Sequence, residues 1–204
     1  MRRAATALLL CSLSSASPLQ AQRADSIIER SSAAYRQLRS LTAEFDQVIS
    51  NEMIGTYTSR GTLAQAGAAR LSMRFTDPAG EAIVIDGTSI WVYTPTTAPG
   101  QVLRAPIARA AGYGANLLAW LLDKPAERYK VTLLRGDSVA GTPVDVLRLM
   151  PAVEGLPFTS ATLWLARSDG LPRRIEVTEP SGNRRTLTLS KLQTNVALPP
   201  GTFT

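Results

Sequence analysis

The sequence contains no histidine, and its single cysteine, Cys11, falls in the first apolar run. A serine or cysteine nucleophile activated by an imidazole has no partner in such a chain. Zinc is disfavoured for the same reason, because its protein ligands are chiefly His and Cys. Carboxylates remain for acid and base work, and three stand out: Asp86, Asp137 and Asp169. Each sits beside glycine or serine at an expected turn, where aspartate accepts hydrogen bonds from the following backbone. The sequence therefore assigns them to structure rather than to catalysis. Gly112-Tyr113-Gly114 is too short to be a phosphate-binding loop. The few aromatic residues are not interleaved with basic ones as a base-stacking platform requires.

What the chain offers instead is apolar surface, most plainly in Glu81–Pro95 (EAIVIDGTSIWVYTP). Two apolar runs flank Asp86-Gly87, a dipeptide that tolerates positive φ and marks a β-hairpin. Alternation puts Ile83, Ile85, Ile90 and Val92 on one face and Ala82, Val84, Trp91 and Tyr93 on the other. A sheet with one face in water alternates apolar with polar, and this hairpin does not. Something apolar must cover its second face.

The elements around the hairpin follow from composition and period. Met1-Arg2-Arg3, the apolar run Ala4–Leu13 and a small-residue segment ending at Ala21 have the order of a secretory signal peptide over residues 1–21, leaving one domain over 22–204. The apolar run is too short to span a bilayer. Without Arg2 and Arg3 the 22 basic residues fall to 20 against 16 acidic ones. The remaining arginines are dispersed, with Arg173-Arg174 and Arg184-Arg185 as doublets, which reads as a solvated strand face rather than a nucleic-acid patch.

Asp25-Ser26 is placed to cap a helix running to about Arg39, with Ile27, Ile28, Ser31, Tyr35 and Leu38 at helical spacing. From Leu41 the period becomes two, and strand-like segments follow one another to Arg104. Asn116–Leu122 (NLLAWLL) then reads as a short helix ended by Lys124-Pro125. It is either a core helix or a hydrophobic flap, and periodicity does not separate the two. Strands return over Tyr129–Arg135, Thr142–Met150, Phe158–Ala166, Arg173–Glu179 and Arg184–Leu192, with turns expected at Gly136-Asp137, Ser168–Gly170 and Pro180–Asn183. The expected fold is mainly β with an α lid: a single antiparallel sheet forming an incomplete, half-open β-barrel covered by helices. Such a sheet either encloses a ligand cavity or surrounds a filled core, and composition leaves both open.

Several segments together resemble the LolA family of periplasmic carriers of outer-membrane lipoproteins. They are Ser40–Gln47 (SLTAEFDQ), Gly61-Thr62-Leu63, Phe75–Pro95 with its Asp-Gly turn and Ile-Trp-Val-Tyr, Ala161–Pro172 (ATLWLARSDGLP), and Asn195 with Phe203. The resemblance implies a cavity for lipoprotein acyl chains on the concave face, lined by Leu63, Leu71, Met73, Phe75, Ile83, Ile85, Ile90 and Val92. It implies a lid carrying Ile28, Tyr35, Leu38, Leu117, Leu118, Leu121 and Leu122, and assigns Trp91 and Tyr93 to the convex side. It further implies a monomeric carrier, not an enzyme, needing no cofactor and no metal. Its partners would be lipoproteins, an inner-membrane ABC-type complex that loads it and an outer-membrane receptor that unloads it. A LolA-like sensor domain of an envelope-stress system is the alternative. One departure stands out. Many family members carry a basic residue followed by proline after the Gly-x-Leu strand, tied to holding the lid, whereas this chain has Gln65–Ala69 (QAGAA) there.

Overall fold

The structure, a computed structural model, describes residues 18–53, 55–107 and 116–204. Most of the expected signal peptide, with Cys11, lies outside these residues, as does the Gly112–Gly114 segment. Helix α1 spans Pro18–Arg36, and the first run of strands is β1 (Ser40–Asn51), β2 (Gly55–Ala66), β3 (Arg70–Asp77), β4 (Ala79–Ile85), β5 (Ser89–Tyr93) and β6 (Val102–Pro106). Two short helices follow, α2 (Leu117–Leu122) and α3 (Pro125–Arg128). The second run is β7 (Tyr129–Val139), β8 (Thr142–Pro151), β9 (Ser160–Ala166), β10 (Pro172–Thr178) and β11 (Arg184–Thr194).

All eleven strands join one antiparallel sheet in the order β6-β5-β4-β3-β2-β1-β11-β10-β9-β8-β7. Each half is a meander of sequence neighbours. They meet at one seam, where β1 pairs with β11 from Leu41 opposite Thr194 to Ser50 opposite Arg184. The sheet does not close, so β6 and β7 are its two edges. Helix α1 packs along β7, yet its Tyr35 bonds to Gln65 on β2, six strands away in the sheet order. Laid flat, six strands would span about 28 Å. The sheet curls around the helices, which is why one apolar cluster contains side chains from α1, α2 and both halves of the sheet.

The face turned to the helices, here the inner face, follows from the strand period. Leu63, Met73, Ile83 and Val92 lie opposite one another across β2 to β5, and Gln65, Leu71, Ile85 and Ile90 form the next row. Cross-strand partners point to the same side of a sheet. A third row holds Phe45, Gly61 and Phe75. The two phenyl rings meet edge to face at 5.2 Å. Gly61 lets them: a Cβ there would lie 2.1 Å from the Arg74 carbonyl oxygen.

The helices differ from expectation in their limits. Asp25-Ser26 lies inside α1, which begins at Pro18 and ends at Arg36. The buried stripe Ala24, Ile27, Ile28, Ser31 and Tyr35 continues the helical spacing upstream of the expected cap, and burial of that stripe outweighs local capping chemistry. Helix α2 starts where expected, with the Ala119 N–H donating to the Asn116 side chain at 3.3 Å. Beyond it, Pro125 opens the unforeseen turn α3, a position whose missing N–H costs a helix nothing. The turn expected at Gly136-Asp137 is instead strand. β7 continues to Val139 and reverses at Ala140-Gly141, both at positive φ.

Candidate functional site

The eight side chains expected to line the cavity all belong to, or pack against, the one core cluster on the inner face. Leu63, Leu71, Met73, Phe75, Ile85 and Ile90 are buried, while Ile83 and Val92 are half-buried at its border. The lid residues meet them there. Ile28, Tyr35, Leu118, Leu121 and Leu122 are buried, the last two at 0% exposure, with Leu38 and Leu117 at the periphery. In this arrangement the helices rest directly on the sheet.

What ties the helices down is polar and neutral. Ser32 Oγ donates to the Leu122 carbonyl at 2.7 Å, joining α1 to α2. Gln65 Nε2 donates to the Tyr35 hydroxyl and, at 2.7 Å, to the Gly67 carbonyl, joining the sheet to α1. Asn116 Nδ2 donates to the same hydroxyl at 3.4 Å and to the Ala68 carbonyl at 3.2 Å, adding the start of α2. Burial pushes the Tyr35 phenol up to about 12, against the opposing hydrogen bonds from Gln65 and Asn116, so the group stays neutral at physiological pH. Gln65 thus works in the stretch where the family pattern places a basic residue. Sequence reading missed Gln65 and Asn116. Gln65 gives one signal, a polar residue at a strand position due to face inward, and Asn116 gives another, a capping residue ahead of an apolar helix.

The opposite face of the hairpin has its own cover. Ala82, Val84, Trp91, Tyr93 and Val102 line a groove of about 500 Å³ whose remaining walls include Arg74 and Phe203. The C-terminal segment lies along it: the Arg70 guanidinium stacks over the Phe203 ring at 5.0 Å, and Arg74 donates to the Thr204 carbonyl at 2.6 Å. Trp91 is pinned by its Nε1–H, which donates to Asp86 Oδ2 at 2.7 Å, and by the Arg104 guanidinium at 4.7 Å from its ring. Asp86 also accepts from the backbone of Thr88 and Ser89, both at 2.8 Å. The Trp91 bond, then those backbone donors, hold its carboxyl well below the usual carboxylate range. Asp137 accepts from the Ser138 N–H and the Trp164 indole, and Asp169 from the Leu171 N–H. The three aspartates singled out in the sequence fasten local structure.

Along the strands the inner face changes. At the end carrying the β2–β3 and β4–β5 turns, Leu41, Leu63, Leu71, Ile85 and Ile90 are buried. At the other end, inward-facing Tyr57 on β2 is 49% exposed; Leu103, 45% exposed, lies opposite Val92 and marks the open β6 edge instead. The apolar trough is closed at one end and opens at the other. Among the described residues no helix is long and apolar enough to cross a membrane, and no group of His, Cys, Asp or Glu side chains could hold a metal ion.

A curled open sheet around an apolar interior, with helices held over it by a few neutral bonds, is the class of architecture the chain adopts. The family model for outer membrane lipoprotein carrier protein LolA matches residues 36–204, and the chain belongs to that family. The outer-membrane lipoprotein carrier protein of Chromobacterium violaceum is 27% identical over 167 residues, which are 81% of this chain and 76% of that one. A conserved protein of Thermus thermophilus shares the fold with a TM-score of 0.55 at 14% identity, over 89% of this chain and 93% of that one. MucB in the Pseudomonas aeruginosa MucA/MucB complex gives 0.51 at 19% identity, over 89% of this chain and 60% of that one. The last two similarities establish the fold.

Proposed function

We propose that this protein carries lipoproteins across the periplasm, after cleavage of residues 1–21, by sheltering their acyl chains on the inner face of its sheet. One observation carries the reading: a continuous apolar inner face is capped by helices whose buried leucines rest on it. Each acyl CH₂ removed from water contributes about 0.8 kcal/mol, and branched aliphatics with Met73 give a surface that repacks around chains of different shape. Lid and cargo compete for that surface, so the lid's modest hold sets how readily cargo leaves. An inner-membrane ABC-type complex supplies the cargo, and an outer-membrane receptor accepts it.

The test is release of a lipoprotein from inner-membrane vesicles into a soluble complex with the protein. Ile83→Glu places a charge on the half-buried border of the inner face, where the fold tolerates it better than at buried Leu71. It should reduce complex formation at least tenfold. A well-folded Ile83→Glu protein that takes up lipoprotein like the parent would remove the inner face as the acyl site. The alternative, a sensor domain that binds a regulatory protein, draws on the MucB fold. Purification from the periplasm distinguishes them, since a carrier retains lipoprotein and a sensor retains a non-acylated protein.

A further inference from the structure

Near the open end of the trough the inner face carries a cation. Arg185 lies in register between Ile49 of β1 and Val177 of β10. Its side chain therefore shares the face of Leu187, a core residue two positions on. Arg184, its neighbour in sequence, points the other way and is exposed. The Arg185 side chain is 19% exposed, and its nearest anion, Glu179, stands 3.4 Å from one terminal nitrogen. That carboxylate is already shared with Asn183 at 3.0 Å and Ser181 at 3.4 Å. The Arg185 Nε–H is buried and has no acceptor among the described residues. Burial lowers the pKa of the guanidinium and Glu179 offsets this only in part, as for a cation whose counter-charge is incomplete.

One inward step deeper sits a second polar pair. Gln47 faces Ser59 across β1 and β2, and its Nε2 donates to Ser59 Oγ at 3.1 Å, both side chains buried. Beyond it come Phe45, Phe75 and the aliphatic rows. From the mouth inward the face thus runs from cation, through neutral polar, to the apolar rows, with Gln65 and Tyr35 bonded to each other at the closed end. The eight steps from Ile49 to Leu41 cover about 26 Å of strand. That gradient matches an amphiphile with an oxygen-bearing head and a long apolar tail.

We propose that Arg185, backed by the Gln47–Ser59 pair, is the head-group station of the acyl site: its Nε–H donates to the carbonyl or carboxylate oxygen at the head of a bound acyl chain. The tail runs down the trough toward Leu63 and Ile85, displacing α2. This rests on the carrier reading and adds the orientation of the ligand and the residue that fixes it.

Three probes test it on the full protein: cis-parinaric acid, its methyl ester, and a triacylated cysteinyl peptide. Arg185→Leu should weaken binding of the acid about tenfold and of the two carbonyl probes several-fold, as expected for loss of a hydrogen bond to a charged donor. Arg185→Lys should restore part of the affinity for the acid. A loss confined to the acid assigns the station to free fatty acids and overturns the acylated-protein source. An Arg185→Leu protein that unfolds at the parent's temperature and binds all three probes equally well overturns the station while leaving the carrier reading standing. A parent protein that binds none of them overturns both. Should Arg185→Leu not fold with Glu179 left unpaired, Gln47→Leu serves instead, with a several-fold loss expected and unchanged affinity counting against the proposal.

Discussion

Leu121 offers the sharpest test of whether α2 is a lid or simply part of the core. Its side chain is at 0% exposure within the cluster shared by helices and sheet. Truncation to alanine deletes buried carbon and leaves a cavity, at a cost of about 2 to 5 kcal/mol. With a lid, that cost falls on the closed arrangement alone, because an open lid has already given up the contact. A loss near 3 kcal/mol then raises the open fraction about 150-fold, and apparent affinity for an acyl ligand rises with it until the open form predominates. With a fixed core helix the same cost lowers global stability and leaves ligand affinity unchanged or weaker. Titration of Leu121→Ala with a fluorescent fatty acid, alongside amide exchange across α2, reads both quantities. Tighter binding with faster exchange confined to α1 and α2 is expected. A lowered unfolding temperature with no gain in affinity would refute the lid.

Two further predictions concern the frame that holds the site. Gly61→Ala forces a Cβ against the Arg74 carbonyl at 2.1 Å, so β3 must shift; a loss of about 3 kcal/mol in urea unfolding is expected, and a parent-like midpoint would show that the Phe45–Phe75 contact needs no glycine beneath it. Asp86 titrates below its ordinary value when folded, so its stabilising contribution is complete above the unfolded pKa of about 3.9 and disappears as pH falls through the folded value. The difference in unfolding temperature between the parent and Asp86→Asn should therefore shrink as pH is lowered from 5 toward 2, and a constant difference would count against the Trp91–Asp86 bond as its source.

Much of the sheet was legible because its strands obey period two and its reversals use turn residues, as at Asp86-Gly87. The legible part ended where chemistry was borrowed from far along the chain. Gly136-Asp137 has turn composition, yet Asp137 serves Trp164 on β9 and the strand runs on. Arg184-Arg185 reads as a solvated doublet, but alternation sends one side chain to water and the other into the trough. Only the pairing register, fixed by β1 and β10, says which. The cavity and lid residues were placed by resemblance, and the structure gathers them in one cluster. The bonds from Gln65 and Asn116 to Tyr35 were invisible because the three residues meet only after the sheet has curled. Arg39 and Asn195 are a milder case: the Arg39 N–H donates to the Asn195 side chain at 2.9 Å, closing the seam at its lower end.

The seam between β1 and β11 has a kinetic consequence. Every other strand pair joins neighbours in sequence and can zip as a hairpin soon after both members are made. β1, by contrast, waits for the last strand, so the central pairing is the slowest contact to form because the loop it closes is the longest. Until then the chain is two separate meanders, each showing an unpaired edge and a bare apolar face. A protein that we propose shelters the apolar parts of others shows, for that interval, an apolar face of its own.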